Sequence, residues 1–526
     1  SSEAHRLLQR PIRSSFRRFG LARRTSLAIA MAGISGEPAP GPPTPAGVEA
    51  RSSHGRGYGL FATAPHAAGA LVFTDEPLFV MQHTGNRRVV AACANCCAFI
   101  GSLRGQMEAI FSESRFAPLL AEVGDMICGW EASLLVAGGA SASTAAGVLC
   151  AHGCGEQYCS EACRDAHYRH SHNLLCAGPI DREDHPLIQF KYHALEHADT
   201  LLLAAQVCAH LVNRAKAAGG GVEVTRNLMR ELLFFCHAPF RDACRPPPGR
   251  GKDGEFYAHT DGLVNRAAEL LAAALQPHAP AEASALFEGG AAFFSEVLGM
   301  FEYNNIDVEV PSPLGSLFLA RASALDAAAR GGTTDAPRAV AELQLVEKLL
   351  REKEWVMGCV WGEETTGIYA ADGIADAGGD EDGMTDGDAA MAASVEAMGA
   401  TGYDANFAQQ AMSQARQAVD QMSFQQLLQA PWPALHGIAL FATVARINHS
   451  CAPNAKIDFP SNSARLSAIA LSPLAPGDEM TISYIRQDTD VKERKQQLLE
   501  YGFVCNCERC MSEDSGSIRK ANKRLK

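Results

Sequence analysis

The sequence predicts an α+β protein in which short strands near both ends of the chain enclose helices and cysteine clusters of the kind that hold zinc. Three observations carry this. From Tyr58 to Val80, and again from Leu440 to Tyr484, short β-branched and aromatic runs alternate with Gly and Pro, the pattern of small strands and turns. The intervening chain contains long stretches of helix formers. Most of the seventeen cysteines fall at short spacings with a His nearby. In a chain of 526 residues that pattern favours metal sites over a disulfide scaffold.

Composition narrows the function classes. Hydrophobic residues make up 47% and charged residues 20%, as in ordinary globular proteins. The net charge of −13 is not one field, because residues 361–404 hold eleven acids and no Lys or Arg. A uniformly acidic protein is excluded, and so is a strongly basic binder; direct nucleic-acid binding is not expected. No apolar run of about 18 residues marks a membrane span.

Taken in order, the first 36 residues carry seven Arg and one acid, Glu3. Three readings stand: an organellar transit peptide, a disordered basic leader, or residues upstream of a true start at Met31. Glu37–Gly47 (EPAPGPPTPAG) is a Pro-rich spacer, so folding should begin near Val48. Strands and turns follow, then the cysteine cluster of residues 93–176, with a long insertion between Cys96 and Cys150. Leu187–Ala217 reads as one helix stopped by Gly219–Gly221. Further helical stretches are expected around Asn265–Leu275, Phe293–Phe301 and Ala339–Trp355. The segment from about Gly362 to Tyr403 has few large apolar groups and reads as a disordered insertion. Strands return after Leu440, and a cysteine-rich tail ends in the basic stretch Ile518–Lys526, a possible nuclear-targeting patch or a solvated tail.

The cysteines have ligand spacing. Cys93-x2-Cys96, Cys150-x3-Cys154, Cys159-x3-Cys163 and His172-x3-Cys176 supply eight donors, enough for two four-coordinate zinc ions. Four protein donors leave no open position, so such ions are structural. Cys97 and Cys128 are alternatives to the first pair; His152, His167 and His170 read as surface or polar helix residues. At the tail, Cys505, Cys507 and Cys510 form an incomplete third site, for which Cys451 is the natural fourth donor.

The segment Cys150–Cys176 (CAHGCGEQYCSEACRDAHYRHSHNLLC) resembles a MYND zinc finger, although His167 or Tyr168 stands where that family commonly has Trp. The resemblance implies interleaved ligands: Cys93, Cys96, Cys159 and Cys163 on one ion, and Cys150, Cys154, His172 and Cys176 on the other. RINHSCAPNA (Arg446–Ala455) with LAPGDEMTISY (Leu474–Tyr484) resembles the core motifs of SET-domain protein-lysine methyltransferases. Gly55–Val80 is similar to that family's opening motif, and YGFVCNCERC (Tyr501–Cys510) to its closing one. Their order is similar to the SET and MYND domain subfamily. It implies a pseudoknotted SET-type β fold split by the finger, with helical insertions and a zinc-binding post-SET tail.

The resemblance further implies a catalytic Tyr484 and a lysine channel walled by Tyr501 and Phe503. It assigns contacts with S-adenosylmethionine to Arg56, Tyr58, Asn448 and His449, with Asn304 or Asn305 as a further candidate. The implied parts are a leader (1–47), the N-terminal part of SET (48–92), the finger (93–176) and a helical linker with insert-SET region (177–310). A helical and acidic insertion (311–435), the C-terminal SET core (436–486), the post-SET region (487–512) and a basic tail (513–526) complete the chain. The expected function is S-adenosylmethionine-dependent methylation of histone or non-histone lysines, with three structural zinc ions and a protein substrate as partner. The alternative is a catalytically silent adaptor whose finger binds Pro-rich peptides. His449-Ser450 offers no triad geometry, which argues against a hydrolase. A nuclear and cytoplasmic location is expected, or an organellar one if the leader is a transit peptide.

Overall fold

The computed structural model describes residues 41–514 except 54–56, 112–115, 137–146, 245–252, 332–334, 362–412, 415, 500 and 502. The Arg-rich leader, Arg56, the acidic segment 362–403 and the basic tail from Ile518 lie outside the described residues.

Twelve strands occur among the described residues. They are β1 (Val48–Ser53), β2 (Gly57–Ala62), β3 (Leu71–Asp75), β4 (Pro77–Gln82), β5 (Val148–Leu149) and β6 (Gln157–Tyr158). After the central helices come β7 (Asn305–Val310), β8 (Leu435–Phe441), β9 (Asn448–His449), β10 (Ala455–Asp458), β11 (Leu466–Ala470) and β12 (Thr481–Ile482). The two ends of the chain build common sheets. β3 pairs with β11 in the order β10-β11-β3, and β4 with β8 in the order β4-β8-β7. Phe73 thus lies opposite Ala468, and Val80 opposite Ala439. β9 and β12 run parallel, Asn448 beside Thr481 and His449 beside Ile482. The sheets close over Leu60, Phe73, Val80, Phe441, Ile447, Leu466 and Met480, all buried.

Helices form two further cores. One joins Phe190, Leu203, Val207, Leu271, Phe294 and Phe301. The other joins helices Leu103–Ile110 and Ala117–Val136, from the insertion after Cys96, to Pro313–Arg330 and Ala336–Trp361 through Met107, Trp130, Phe318, Leu349 and Trp432. No helix among the described residues is long and apolar enough to cross a membrane.

The stretch expected as one helix, Leu187–Ala217, is two: Pro186–His197 and Thr200–Ala217. Ala198 is extended at the break. Asp199 beside it is held by the Thr84 backbone N–H and the His83 ring, each 3.1 Å from its carboxylate. A tertiary contact therefore overrides local helix propensity here.

Candidate active site and metal centres

Each half of the cysteine-rich region between residues 93 and 176 is shaped by local bonds. The Ser160 hydroxyl caps helix Glu161–His167 by accepting from the Cys163 N–H, so Cys163 projects from the first turn. The Ala94 N–H donates to the Gln157 carbonyl at 2.8 Å, which ties the Cys93–Cys96 turn to the β5–β6 hairpin despite the long insertion. A wide helical turn over Tyr168–His172 brings His172 inward.

Three donor sets result: Cys93, Cys96, Cys159, Cys163; Cys150, Cys154, His172, Cys176; and Cys451, Cys505, Cys507, Cys510. In each set the donor atoms all lie within 4.8 Å of one another. Their separations test the fit to a metal. Ligands about 2.3 Å (S) and 2.05 Å (N) from a tetrahedral zinc stand about 3.8 Å apart for S–S and about 3.6 Å for S–N. In the first set the Cys96 Sγ is 3.7 Å from Cys159 and 3.9 Å from Cys163. In the second, Cys150 and Cys176 are 3.8 Å apart, and His172 Nε2 is 3.4 Å from both Cys150 and Cys154. In the third, Cys451 and Cys510 are 3.5 Å apart. The donor sets fit zinc, and each is closed.

Cys97 and Cys128 belong to none of the sets. His167 differs from the expectation of a surface residue: it is buried, shares a 3.1 Å hydrogen bond with the Tyr158 hydroxyl, and stacks on His172. Burial pushes His167 down to about 3, so the ring is neutral. His152 is exposed, stacked on the Tyr168 ring, and His170 stacks on His210.

The third set adjoins the second candidate site. The Tyr484 N–H donates to His449 Nδ1 at 3.0 Å. Burial, with the Arg494 charge assisting, pushes His449 down to about 4, so its ring is neutral. A neutral ring whose Nδ1 accepts carries its proton on Nε2, which lies 3.3 Å from Cys451 Sγ. Both ring nitrogens of His449 are thus committed to protein partners, and His449 links the metal cluster to the strand end at Tyr484. Arg494, fully buried, pairs with Glu513 at 2.6 Å and approaches Cys510 Sγ at 4.0 Å, placing positive charge beside four sulfurs.

Tyr484 lies among aromatic rings. Its centroid is 5.3 Å from Tyr501, 5.3 Å from His449 and 6.4 Å from Phe503, and Phe503 is 5.8 Å from His449. The Tyr484 hydroxyl donates to the Ile447 carbonyl at 2.5 Å, and the Tyr501 hydroxyl donates to the Tyr484 carbonyl at 3.2 Å.

Asn448 joins this loop to the β1–β2 hairpin. Its Nδ2 donates to the Tyr58 carbonyl at 3.1 Å and to Glu479 Oε1 at 2.8 Å. The Ser53 hydroxyl reaches the same carboxylate oxygen at 2.8 Å. Tyr58 itself is 59% exposed, so its ring stays available to a ligand. Gly57 has φ +76°, a conformation that L side chains rarely adopt. Gly59 is needed for space: a Cβ there would lie 2.6 Å from Glu479 Oε1 and 3.0 Å from Asn448 Nδ2. Asn304 is buried, its amide engaged with the Cys236 backbone and the Met300 carbonyl. Asn305 is half-buried at the start of β7. Sequence reading missed Glu479, Ile447 and Arg494; Glu479 and Ile447 stand inside the quoted stretches LAPGDEMTISY and RINHSCAPNA, while Arg494 carried no signal.

A family model for the SET domain matches residues 337–485. Over 524 residues the chain is 26% identical to the histone-lysine N-methyltransferase ATXR2 of Arabidopsis thaliana, covering 90% of this chain and 91% of that one. It is 44% identical over 78 residues to a SET and MYND domain-containing protein of Dictyostelium discoideum, covering 15% of this chain and 22% of that one. It is also 40% identical over 81 residues to the protein-lysine N-trimethyltransferase SMYD5 of Homo sapiens, covering 15% and 19%. These shorter matches span about a fifth of the relatives' length.

Proposed function

We propose that this chain, which belongs to the SET and MYND family of protein-lysine methyltransferases, moves a methyl group from S-adenosylmethionine to the amine of a lysine on a histone or another protein. The observation that carries this reading is the Tyr484 hydroxyl, fixed on the Ile447 carbonyl inside an aromatic cage, with Asn448 alongside bonded to the β1–β2 hairpin at Tyr58.

When bound, S-adenosylmethionine supplies an electrophilic methyl on a positively charged sulfur. Residues present fit such a group. Asn448 spends Nδ2 on the protein and leaves Oδ1 as an acceptor, and the exposed Tyr58 ring offers a stacking face. Asn305 and Arg56 are further candidates for the same contact. The rest of the chemistry belongs to the chain. The Tyr484 hydroxyl donates to the Ile447 carbonyl, which fixes the direction of its O–H and so orients the oxygen toward the lysine amine. Tyr501, Phe503 and the neutral His449 ring line the approach and exclude water. An aromatic, poorly hydrated channel admits the ammonium through its π faces yet lowers its pKa, which favours the neutral amine that attacks. Positioning of this kind, rather than a covalent enzyme intermediate, supplies the rate.

The proposed architecture is a SET core threaded as a pseudoknot and split by a MYND finger. The pairing of β3 and β4 with strands near the other end of the chain supports it. The three closed donor sets would hold zinc as a structural ion, and the third set packs in one cluster with Phe503, Tyr501 and Tyr484. The test is mass spectrometry of a cell lysate incubated with the zinc-loaded chain and isotopically labelled S-adenosylmethionine. Labelled methyl groups on lysine of at least one protein are expected. Failure of the folded, zinc-loaded chain to bind S-adenosylmethionine in calorimetry would overturn the reading.

A further inference from the structure

The turn Val444–Arg446, which precedes the Ile447 carbonyl, is gripped from two sides by the N-terminal part of the chain. On one side Asp75 Oδ2 accepts from the N–H groups of Thr443 and Val444, both at 3.0 Å, and so caps the turn. On the other, the Pro-rich segment Gly41–Ala46 (GPPTPA) reaches Arg446. The Pro42 carbonyl accepts from Arg446 Nη2 at 3.0 Å. Gly41 packs so closely that an added Cβ would sit 3.1 Å from the Phe234 ring and 3.5 Å from Arg446 Nη1. The guanidinium lies 5.6 Å over the Phe234 ring, and its Nε donates to the Ala442 carbonyl at 2.9 Å. The Thr44 hydroxyl donates to the Val48 carbonyl at 2.9 Å, fastening the segment to the start of β1.

Three prolines in six residues restrict the segment before it docks, so little chain entropy is lost on docking. Prolines also lack an N–H. Pro42 thus presents only a carbonyl, the group a guanidinium requires. One residue past Arg446, the Ile447 carbonyl accepts the Tyr484 hydroxyl. The path from Pro42 to the tyrosine oxygen is therefore two hydrogen bonds and one residue of backbone.

We propose that residues 41–46 are a strap that sets the position of the Tyr484 hydroxyl through Arg446, making Arg446 a positioning residue for methyl transfer. The inference rests on the methyltransferase reading. The strap's contacts described above run to Arg446, Phe234 and the start of β1. The strap acts on the carbonyl that orients the hydroxyl and bears on turnover more than on affinity for the methyl donor.

The test compares four full-length, zinc-loaded proteins: wild type, a chain lacking residues 41–46, Arg446→Ala, and the two changes combined. Small misplacements of reacting groups cost rate steeply, so each single change should lower kcat about tenfold, with S-adenosylmethionine affinity within about threefold of wild type. The combination should be no slower than either single change, because both break one path. Arg446→Lys, which cannot reach both carbonyls, should restore little. If the deletion folds poorly, Pro42→Gly with Pro43→Gly keeps the carbonyl and loosens the strap, and a smaller fall in kcat, about threefold, is expected. Unchanged kcat on strap removal, or a combined loss equal to the product of the single ones, overturns the proposal. Hydrogen exchange separates this from the functional reading. The amides of Arg446 and Ile447, bonded to the Thr443 and Val444 carbonyls, should exchange at least about tenfold faster without the strap, whether or not any lysine is methylated. Unaltered exchange at both also overturns it.

Discussion

Adding one methyl group at Gly59 should disconnect the cofactor loop from the β1–β2 hairpin without unfolding the protein. The new Cβ would sit 2.6 Å from Glu479 Oε1, well inside contact distance. Because that oxygen ends a flexible side chain, the carboxylate can withdraw. In doing so it gives up the Asn448 amide and the Ser53 hydroxyl, each at 2.8 Å. A hydrogen bond to a charged group contributes about 1.5–3 kcal/mol. If the Asn448 bond alone is lost from the ligand-competent state, affinity for S-adenosylmethionine falls about tenfold to a hundredfold. Calorimetric titration of zinc-loaded Gly59→Ala measures this directly, with zinc content and melting temperature as controls for folding. Glu479→Gln, which keeps the shape and weakens the acceptor, should give a smaller loss in the same direction. Wild-type affinity in Gly59→Ala would refute the idea that Glu479 and Asn448 together shape the cofactor site.

Other consequences are equally concrete. Cys451→Ser should lower the zinc content of the purified chain from three ions toward two and weaken cofactor binding, since Cys451 also faces His449 Nε2; three ions in that variant by metal analysis would place the fourth donor elsewhere. Glu296 is buried with Oε2 unpartnered, and burial, aided by the Asp242 charge, pushes it up to about 7 from 4.5. Its proton is therefore held by the folded state and lost by the unfolded one between those values, so stability falls as pH rises from about 4.5 to 7, by at most about 3 kcal/mol. Glu296→Gln should raise the melting temperature over wild type at pH 8 but hardly at pH 4; an equal offset at both pH values would contradict this. Lys353, fully buried, donates to the carbonyls of Ala430 and Pro431 and pairs with Glu354, so Lys353→Met should destabilise the chain by about 3–5 kcal/mol in denaturant titration. Removing Glu354 as well should recover much of that loss.

The metal donors were legible because zinc ligands arrive in pairs at short spacing, and three tail thiols lacking a fourth pointed to Cys451. Tyr484 and Asn448 were legible through the motifs that flank them. What escaped depends on contacts distant in sequence. Glu479 meets Ser53 across 426 residues, so its place in the GDEM stretch does not reveal the partners its carboxylate takes. Arg494 reads as one more basic residue of a polar helix until its burial beside Cys510 is seen. The break at Ala198 is invisible locally because His83 and Thr84 impose it. Helix Leu103–Ile110, by contrast, carried readable signals: an N-capping Ser102 and apolar residues at 103, 107 and 110.

Single-turnover methyl transfer by Tyr484→Phe, on a lysine substrate identified from lysate, is the most direct measurement. Phenylalanine keeps the ring and its contacts with Tyr501, Phe503 and His449, and removes only the hydroxyl held by Ile447. A positioned polar group of this kind is worth about 10²–10³ in rate. Tyr484→Phe should bind S-adenosylmethionine nearly as wild type does and transfer its methyl group at least about a hundredfold more slowly. Wild-type transfer by the variant would contradict a catalytic role for Tyr484. Joint loss of cofactor binding and folding would instead make the residue part of the scaffold.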